Sequence, residues 1–129
     1  MKVAISTNGI DLSSQVAERF GRCNNFLIVD TETMEFEVVP NTATRSAHGA
    51  GIAAAQLVAS KGAKAILTGN VGPKAFSALS SSGVKTVTQV SGTVGDAVRR
   101  FSSGELKSTG EPTVGSHFSS GGRRGRRQG

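Results

Sequence analysis

An alanine-rich stretch in the middle of the chain constrains the fold most. Residues 52–59 are almost wholly apolar, and four of these eight residues are alanine, the best helix former. Only Gln56 and Ser60 form a polar stripe, so we expect nearly every other face of this helix to be buried. Gly62 stands where a C-terminal cap belongs. Strand-like segments on both sides predict that the helix is the crossover between two halves of a sheet.

Five short apolar runs around this helix are typical of strands. Three are continuous, which favours buried strands, and the third in chain order alternates like a half-exposed one. The predicted strands are residues 3–6, 26–29, 35–39, 65–68 and 84–88.

Two further helices are predicted in the second half of the chain. Pro73 fits the first turn of one helix, which ends before Gly83. Thr93 with Asp96 resembles a capping box, with Asp in place of the usual Glu, and opens a helix through Phe101.

A short helix is also predicted between the first two strands. Ser13 or Ser14 can cap it, and Val16, Ala17 and Phe20 follow at a spacing that suits one helix face.

The resulting order of elements predicts an α/β fold with a five-stranded mixed sheet flanked by helices. Right-handed crossovers favour the strand order 3-2-1-4-5 with strand 2 antiparallel. The loops that leave strands 1, 3, 4 and 5, and the loop that enters strand 2, then meet at one edge. Ligands bind at such carboxyl edges in open α/β sheets, so we expect the functional site there.

This edge has the features of an anion site. Three predicted helices begin there, and their first N–H groups and positive dipole ends favour negative charge. Arg19, Arg22 and Arg45 add cationic charge. Plainer explanations stay open for the same residues, because the arginines can be ordinary surface charges and Cys23 a small buried hydrophobe. His48 can equally hydrogen-bond within its own loop.

No catalytic constellation is recognisable in the sequence. There is no Ser/His/acid motif, no phosphate-binding Walker loop and no close pair of carboxylates. Cys23 and His48 could form a thiolate–imidazolium pair, but no motif supplies an oxyanion hole beside them. We therefore predict a binding function without catalysis.

The rest of the composition predicts a single cytoplasmic domain with a basic tail. One cysteine, no signal peptide and no long apolar run argue against secretion and against a membrane span. Of the net charge of +6, four charges come from arginines in the last seven residues. Residues 108–129 are rich in Gly, Ser and Arg, and we predict that they are disordered. This tail is either solvated or a basic arm for nucleic acid or an acidic partner.

Several motifs resemble the dinitrogenase iron–molybdenum cofactor-binding family. They are Glu-Arg-Phe-Gly-Arg-Cys (18–23), His-Gly-Ala-Gly (48–51), Gly-Asn-Val-Gly-Pro-Lys-Ala (69–75), Gly-Thr-Val (92–94) and Gly-Glu-Leu (104–106). The resemblance covers residues 1–107 and implies a ribonuclease H-like three-layer fold. It also implies that the domain binds or carries an iron–sulfur-based metallocluster.

The resemblance carries over to individual residues. The family commonly has His before Phe-Gly-Arg, where this chain has Arg19, while the Phe-Gly-Arg motif and His48 match. A cation in place of an imidazole favours an anionic ligand over direct ligation of a metal. The candidate direct metal ligands are Cys23 and His48, both expected in loops at the rim. The candidate binding residues are Arg19, Phe20, Gly21, Arg22, His48, Gly49, Gly51, Asn70, Gly72 and Thr93.

Two soft ligands cannot complete a four-ligand metal site. A bound iron–sulfur or iron–molybdenum cluster would therefore need its own inorganic ligands, a second copy of the chain in a homo-oligomer, or a donor or acceptor protein. The alternative function is a sensor that binds a phosphorylated metabolite or nucleotide at the same edge without metal.

Overall fold

A computed structural model describes residues 1–45 and 49–110 of the chain. None of the helices in these two ranges is long and apolar enough to cross a membrane. The strands are β1 (Lys2–Thr7), β2 (Asn25–Asp30), β3 (Phe36–Pro40), β4 (Ala65–Leu67) and β5 (Lys85–Val87). The helices are α1 (Ala50–Ser60), α2 (Pro73–Ser81) and α3 (Val94–Ser102), with short 3₁₀ turns at Phe20–Arg22 and Thr42–Arg45.

The sheet confirms the predicted topology. Its strand order is β3-β2-β1-β4-β5, and β2 runs antiparallel to both of its neighbours. The pairs β1–β4 and β4–β5 are parallel; α1 leads from β3 into β4, and α2 connects β4 to β5. The carboxyl ends of β1, β4 and β5 therefore lie at one edge, as the sequence predicts. The architecture is compatible with a ribonuclease H-like fold.

The helices cover both faces of the sheet and make three layers. Side chains from α1 and α2 pack with Ala4, Ile28 and Ile66 on one face. Side chains from α3 pack with Val3 and Leu67 on the other. Because successive residues of a strand point to opposite faces, the continuous apolar strands build two aliphatic cores.

Helix α1 is the predicted crossover, although it is less enclosed than expected. It ends at Ser60 and is followed by the left-handed Gly62 (φ +81°), and the N–H of Ala63 donates to the carbonyl oxygen of Val58 over 3.3 Å. Gln56 is exposed as predicted. Ile52, however, is 36% exposed, because only part of the helix surface faces the sheet and α2.

The predicted short helix after β1 is wrong. Residues 8–19 form turns and extended backbone, and the first helical turn is the 3₁₀ turn Phe20–Arg22. The apolar spacing of Val16, Ala17 and Phe20 suits a helix, but Ala17 is instead buried from extended backbone and Phe20 from the 3₁₀ turn. The backbone of this segment bonds to Ser6 of β1 and to Gly69 and Asn70 after β4, and these bonds outweigh the local helical pattern.

Residues 15–20, which we call the inserted segment, lie between the carboxyl ends of β1 and β4. The two strands pair only from Val3 to Ile5. Beyond that point the N–H of Ala17 donates to the carbonyl oxygen of Ser6 (2.7 Å), and its carbonyl accepts from Gly69 N–H (3.3 Å). A buried Ser6 hydroxyl, 2.7 Å from the Thr68 hydroxyl, also donates to the Ala17 carbonyl. The chain therefore fills its own crevice at the strand-order reversal.

The last described residues cover the outer edge of β5. The N–H of Thr109 donates to the carbonyl oxygen of Thr86, and the N–H of Thr88 donates to the Thr109 hydroxyl (3.1 Å). These contacts give the open strand edge backbone partners. The predicted disordered tail lies for the most part in residues 111–129, outside the described residues.

Thr86, the middle residue of β5, allows the packing of this strand to be tested. Its side chain is 3% exposed, and its hydroxyl has no hydrogen-bond partner among the described residues. We expect Thr86→Val, which keeps the shape and removes the unpaired hydroxyl, to raise the free energy of unfolding by about 1 kcal/mol. Urea titration measures the change.

Thr88→Val is the matched control, because the Thr88 hydroxyl lies 2.7 Å from that of Thr109. This variant should lower the free energy of unfolding by about 1 kcal/mol. A loss of stability in Thr86→Val would mean that the hydroxyl has a partner.

Candidate functional site

A groove of about 560 Å³ lies at the carboxyl edge, on the α1–α2 side of the inserted segment. Its volume is in the range of small-molecule sites. Three separate parts of the chain form it: the Phe20–Arg22 turn, the start of α1 and the start of α2. The residues that line it are Glu18, Arg19, Phe20, Gly21, Arg22, Gly51, Asn70, Val71, Gly72, Pro73, Lys74 and Ala75.

Small residues let these three parts approach closely. A Cβ on Gly21 would lie 3.3 Å from the Cα of Gly51, and a Cβ on Gly51 would lie 3.0 Å from the Cβ of Ala75. The second distance is tighter than ordinary side-chain contact. The floor of the groove is therefore close-packed, and larger residues at Gly51 would separate α1 from α2.

The N-terminus of α2 forms one wall of the groove. Gly72 is the N-cap, Pro73 is the first helical residue, and the N–H of Phe76 donates to the Gly72 carbonyl oxygen over 2.9 Å. Pro at this position loses nothing, because the first N–H groups of a helix have no acceptor within the helix. The N–H groups of Lys74 and Ala75 belong to that first turn, where anions bind favourably.

Three cationic side chains surround the groove. Arg19, Arg22 and Lys74 are exposed, and none forms an ion pair within the part of the chain that the structure describes. Glu18 is the one carboxylate among the described lining residues. The groove therefore carries a net positive charge that a bound anion can neutralise.

Asn70 ties the inserted segment to the end of β4. Its N–H donates to the Glu18 carbonyl oxygen over 2.7 Å, and its own carbonyl accepts from the N–H of Phe20 over 3.1 Å. Arg19 lies between these two bonds, paired with Asn70 in a parallel bridge. The direction in which Arg19 leaves the backbone is thus set by Asn70.

Cys23 does not lie in the groove. Its side chain is 1% exposed, and its thiol donates to the Phe20 carbonyl oxygen over 3.3 Å, with the Asn41 amide 3.8 Å away. Burial raises the pKa of this thiol to about 11. The expectation that Cys23 lies in a loop at the rim is wrong, because its apolar surroundings extend the core to the start of β2. This placement gives no support to Cys23 as a metal ligand.

We expect the burial of Cys23 to suppress its reactivity. Only the thiolate reacts with iodoacetamide, so labelling at pH 8 should be slow in the folded protein and fast in urea. The folded-state pKa is raised above the unfolded value, so stability from the neutral thiol is complete below about pH 8.5 and is lost as the pH approaches 11. Cys23→Ala should remove that part of the alkaline destabilisation. Labelling at equal rates in both states would contradict this burial.

Direct metal ligation has few candidates in the described part of the chain. Residues 1–45 and 49–110 contain no group of three or more His, Cys, Asp or Glu side chains that could hold a metal ion. The polar groups that face the groove are mainly cationic side chains and backbone N–H groups. Such groups bind a whole anion and cannot coordinate a bare metal ion.

Comparison with known proteins agrees with the motifs that form the groove. Residues 1–104 match the family described as dinitrogenase iron-molybdenum cofactor. This chain belongs to that family. An uncharacterized protein of Methanocaldococcus jannaschii is 32% identical over 110 residues, covering 83% of this chain and 90% of the relative.

Solved structures of similar proteins share the fold. The apo form of the orange protein from Desulfovibrio gigas is 42% identical with a TM-score of 0.85, covering 88% of this chain and 96% of that one. A putative NifB protein from Thermotoga is 44% identical with a TM-score of 0.71, covering 83% and 91%. A putative dinitrogenase from Methanocaldococcus jannaschii is 23% identical with a TM-score of 0.65, covering 87% and 97%, and it supports the fold alone.

Most of the predicted binding residues that the structure describes lie together at the groove. Gly49 is an exception, because it is the left-handed N-cap of α1 (φ +75°) and does not line the groove. Thr93 is another, since its hydroxyl accepts from the N–H of Asp96 and caps α3. His48 and the side chain of Arg45 lie outside the described residues. The predicted residues that line the groove are Arg19, Phe20, Gly21, Arg22, Gly51, Asn70 and Gly72.

Sequence reasoning missed Lys74 as a groove residue. It lies in the first turn of α2 and completes the set of three cations. The available signal was its position one residue after Pro73, at a helix start that the topology places at the same edge. Glu18, which the sequence singled out only as the first residue of the motif at 18–23, also lines the groove.

Proposed function

We propose that this protein binds and carries an anionic iron–sulfur-based metallocluster, of the iron–molybdenum cofactor or precursor type, without catalysing a reaction. The observation that carries the proposal is the groove with three cations, Arg19, Arg22 and Lys74, that form no ion pair among the described residues. It is built on the Phe-Gly-Arg and Gly-Asn-Val-Gly-Pro-Lys motifs of a family described by the iron–molybdenum cofactor.

Charge and shape are the means of binding in this proposal. The cluster brings its own inorganic sulfide ligands, and the two arginines, the lysine and the first N–H groups of α2 neutralise its negative charge. Phe20, Val71 and Ala75 are buried beneath the groove, and Pro73 is exposed beside it, so its apolar lining is continuous with the core. Such a mixed lining suits a large anion whose charge is spread over soft sulfur atoms.

His48 remains a predicted direct ligand. It precedes Gly49, the N-cap of α1, and that helix contributes Gly51 to the groove. One imidazole from this position would add a metal bond to an otherwise electrostatic site. Delivery to or from a partner protein completes the carrier function, since reversible binding by charge allows transfer.

A second candidate function is a sensor for a phosphorylated metabolite or nucleotide. The cations and the α2 N-terminus would serve such a ligand as well. An additional interaction of the basic tail with nucleic acid or an acidic partner remains a prediction for residues outside the described part.

Anaerobic titration with extracted iron–molybdenum cofactor, read by absorption and paramagnetic resonance, tests the proposal. We expect saturable uptake that weakens with salt and is not displaced by millimolar phosphate or ATP. His48→Ala should change the spectrum of the bound cluster, because a direct ligand sets the metal's electronic state. Cys23→Ala should leave it unchanged.

Two results would count against the carrier function. Failure of the wild type to take up any cluster would contradict it. Displacement by ATP at low concentration would favour the nucleotide sensor.

A further inference from the structure

We propose that Gln89 is a positioning residue for the groove, and that it acts through Asn70 on Arg19 from the opposite side of the inserted segment. The inference rests on the proposed function only for its effect on binding.

The backbone of Gln89 adopts an unusual conformation. Its φ is +62°, in the left-handed region that residues with side chains rarely occupy. Such a conformation persists where the surrounding structure holds it, and it is enriched at functional positions. Here the N–H of Gln89 donates to the Gly69 carbonyl oxygen over 2.8 Å, which fixes the residue directly behind Asn70.

The side chain of Gln89 continues a chain of amide contacts. Its Nε2 donates to Oδ1 of Asn70 over 3.3 Å. The Asn70 Nδ2 in turn donates to the Glu18 carbonyl oxygen over 3.4 Å. The side-chain oxygen of Asn70 accepts and its nitrogen donates. The bond from Gln89 to this oxygen therefore selects the amide orientation in which the nitrogen bonds to the inserted segment.

The contact between Gln89 and Asn70 affects the position of Arg19, one of the three cations of the groove. Asn70 brackets Arg19, with backbone bonds to Glu18 and Phe20 on either side of it. Glu18 and Asn70 also line a second groove of about 420 Å³ together with Gln89 and Gln15. Gln89 thus lies outside the first groove and acts on it through Glu18 and Asn70, which line both grooves. A role of this kind predicts weaker binding without a loss of the fold.

Two substitutions separate positioning from backbone strain. Gln89→Gly removes the amide and relieves the left-handed strain, whereas Gln89→Met removes the amide and keeps a side chain of similar length at φ +62°. If the amide contact is what matters, both variants change the groove in the same way. If strain is what matters, the glycine and methionine variants differ.

The first measurement is amide hydrogen exchange by nuclear magnetic resonance, without any ligand. We expect the N–H groups of Phe20 and Asn70 to exchange 3- to 10-fold faster in both variants, with the unfolding midpoint of Gln89→Gly not lowered. Gln15→Ala, another glutamine of the second groove, is the matched control and should leave both rates unchanged. Wild-type exchange rates in both Gln89 variants would overturn the proposal.

The second measurement is the dissociation constant of extracted iron–molybdenum cofactor. We expect it to rise 3- to 10-fold in both Gln89 variants and to stay unchanged in Gln15→Ala. Weaker binding with unchanged exchange would overturn positioning through Asn70, because Gln89 would then act on the ligand in another way. If the wild type binds no cofactor, the proposed function fails, and the exchange rates still decide the role of Gln89.

Discussion

Replacing Gly69 with alanine should lower the free energy of unfolding by about 2–4 kcal/mol and abolish binding in the groove. A Cβ on Gly69 would lie 2.5 Å from the carbonyl oxygen and 2.8 Å from the Cα of Glu18. Both are backbone atoms, so no flexible side chain can move aside. The inserted segment must move, and overpacking of this kind is destabilising by a few kcal/mol.

The loss should extend beyond the contact itself. Moving Glu18 breaks the N–H bonds from Gly69 and Asn70 to the inserted segment and displaces Arg19 and Phe20. Urea unfolding and cofactor titration measure the two effects.

Gly110→Ala is the matched control, because a Cβ at Gly110 meets no atom within 4 Å. That variant should unfold within about 0.5 kcal/mol of the wild type. Wild-type stability in Gly69→Ala would mean that the inserted segment is loosely held.

Removing the three cations of the groove should weaken cofactor binding about 100-fold at low salt. Each exposed cation near a bound anion contributes about 1 kcal/mol, so Arg19, Arg22 and Lys74 together contribute about 3 kcal/mol, which is roughly two factors of ten. The triple change to glutamine should also flatten the salt dependence of binding. Titration at several salt concentrations measures both quantities.

A second triple variant controls for net charge. Lys2, Lys64 and Lys85 precede or begin β1, β4 and β5, at the edge of the sheet opposite the groove. Changing these three lysines to glutamine removes the same charge and should reduce affinity less than about 3-fold, since such distances are largely screened. Equal losses in both triple variants would mean that net charge alone drives binding.

The sequence alone determined the elements that follow local rules. The alanine-rich run at residues 52–59 predicted α1, the Pro73 signal predicted α2 and the Thr93 cap predicted α3, all confirmed by the structure. These signals work because helix propensity and capping involve residues a few positions apart. Continuous apolar strands and right-handed crossovers then led to the correct strand order and to the edge where the groove lies.

Tertiary structure alone decided what fills the crevice at that edge. Val16, Ala17 and Phe20 have helical spacing, yet the backbone of residues 15–20 bonds to Ser6, Gly69 and Asn70. The donor and the acceptor of each bond lie in different parts of the chain, so the local spacing of apolar residues cannot predict these bonds. The same reason explains Cys23, which looked like a rim ligand and is buried by residues distant in the chain. It also explains Lys74, which joins the arginines only after α2 packs beside the inserted segment.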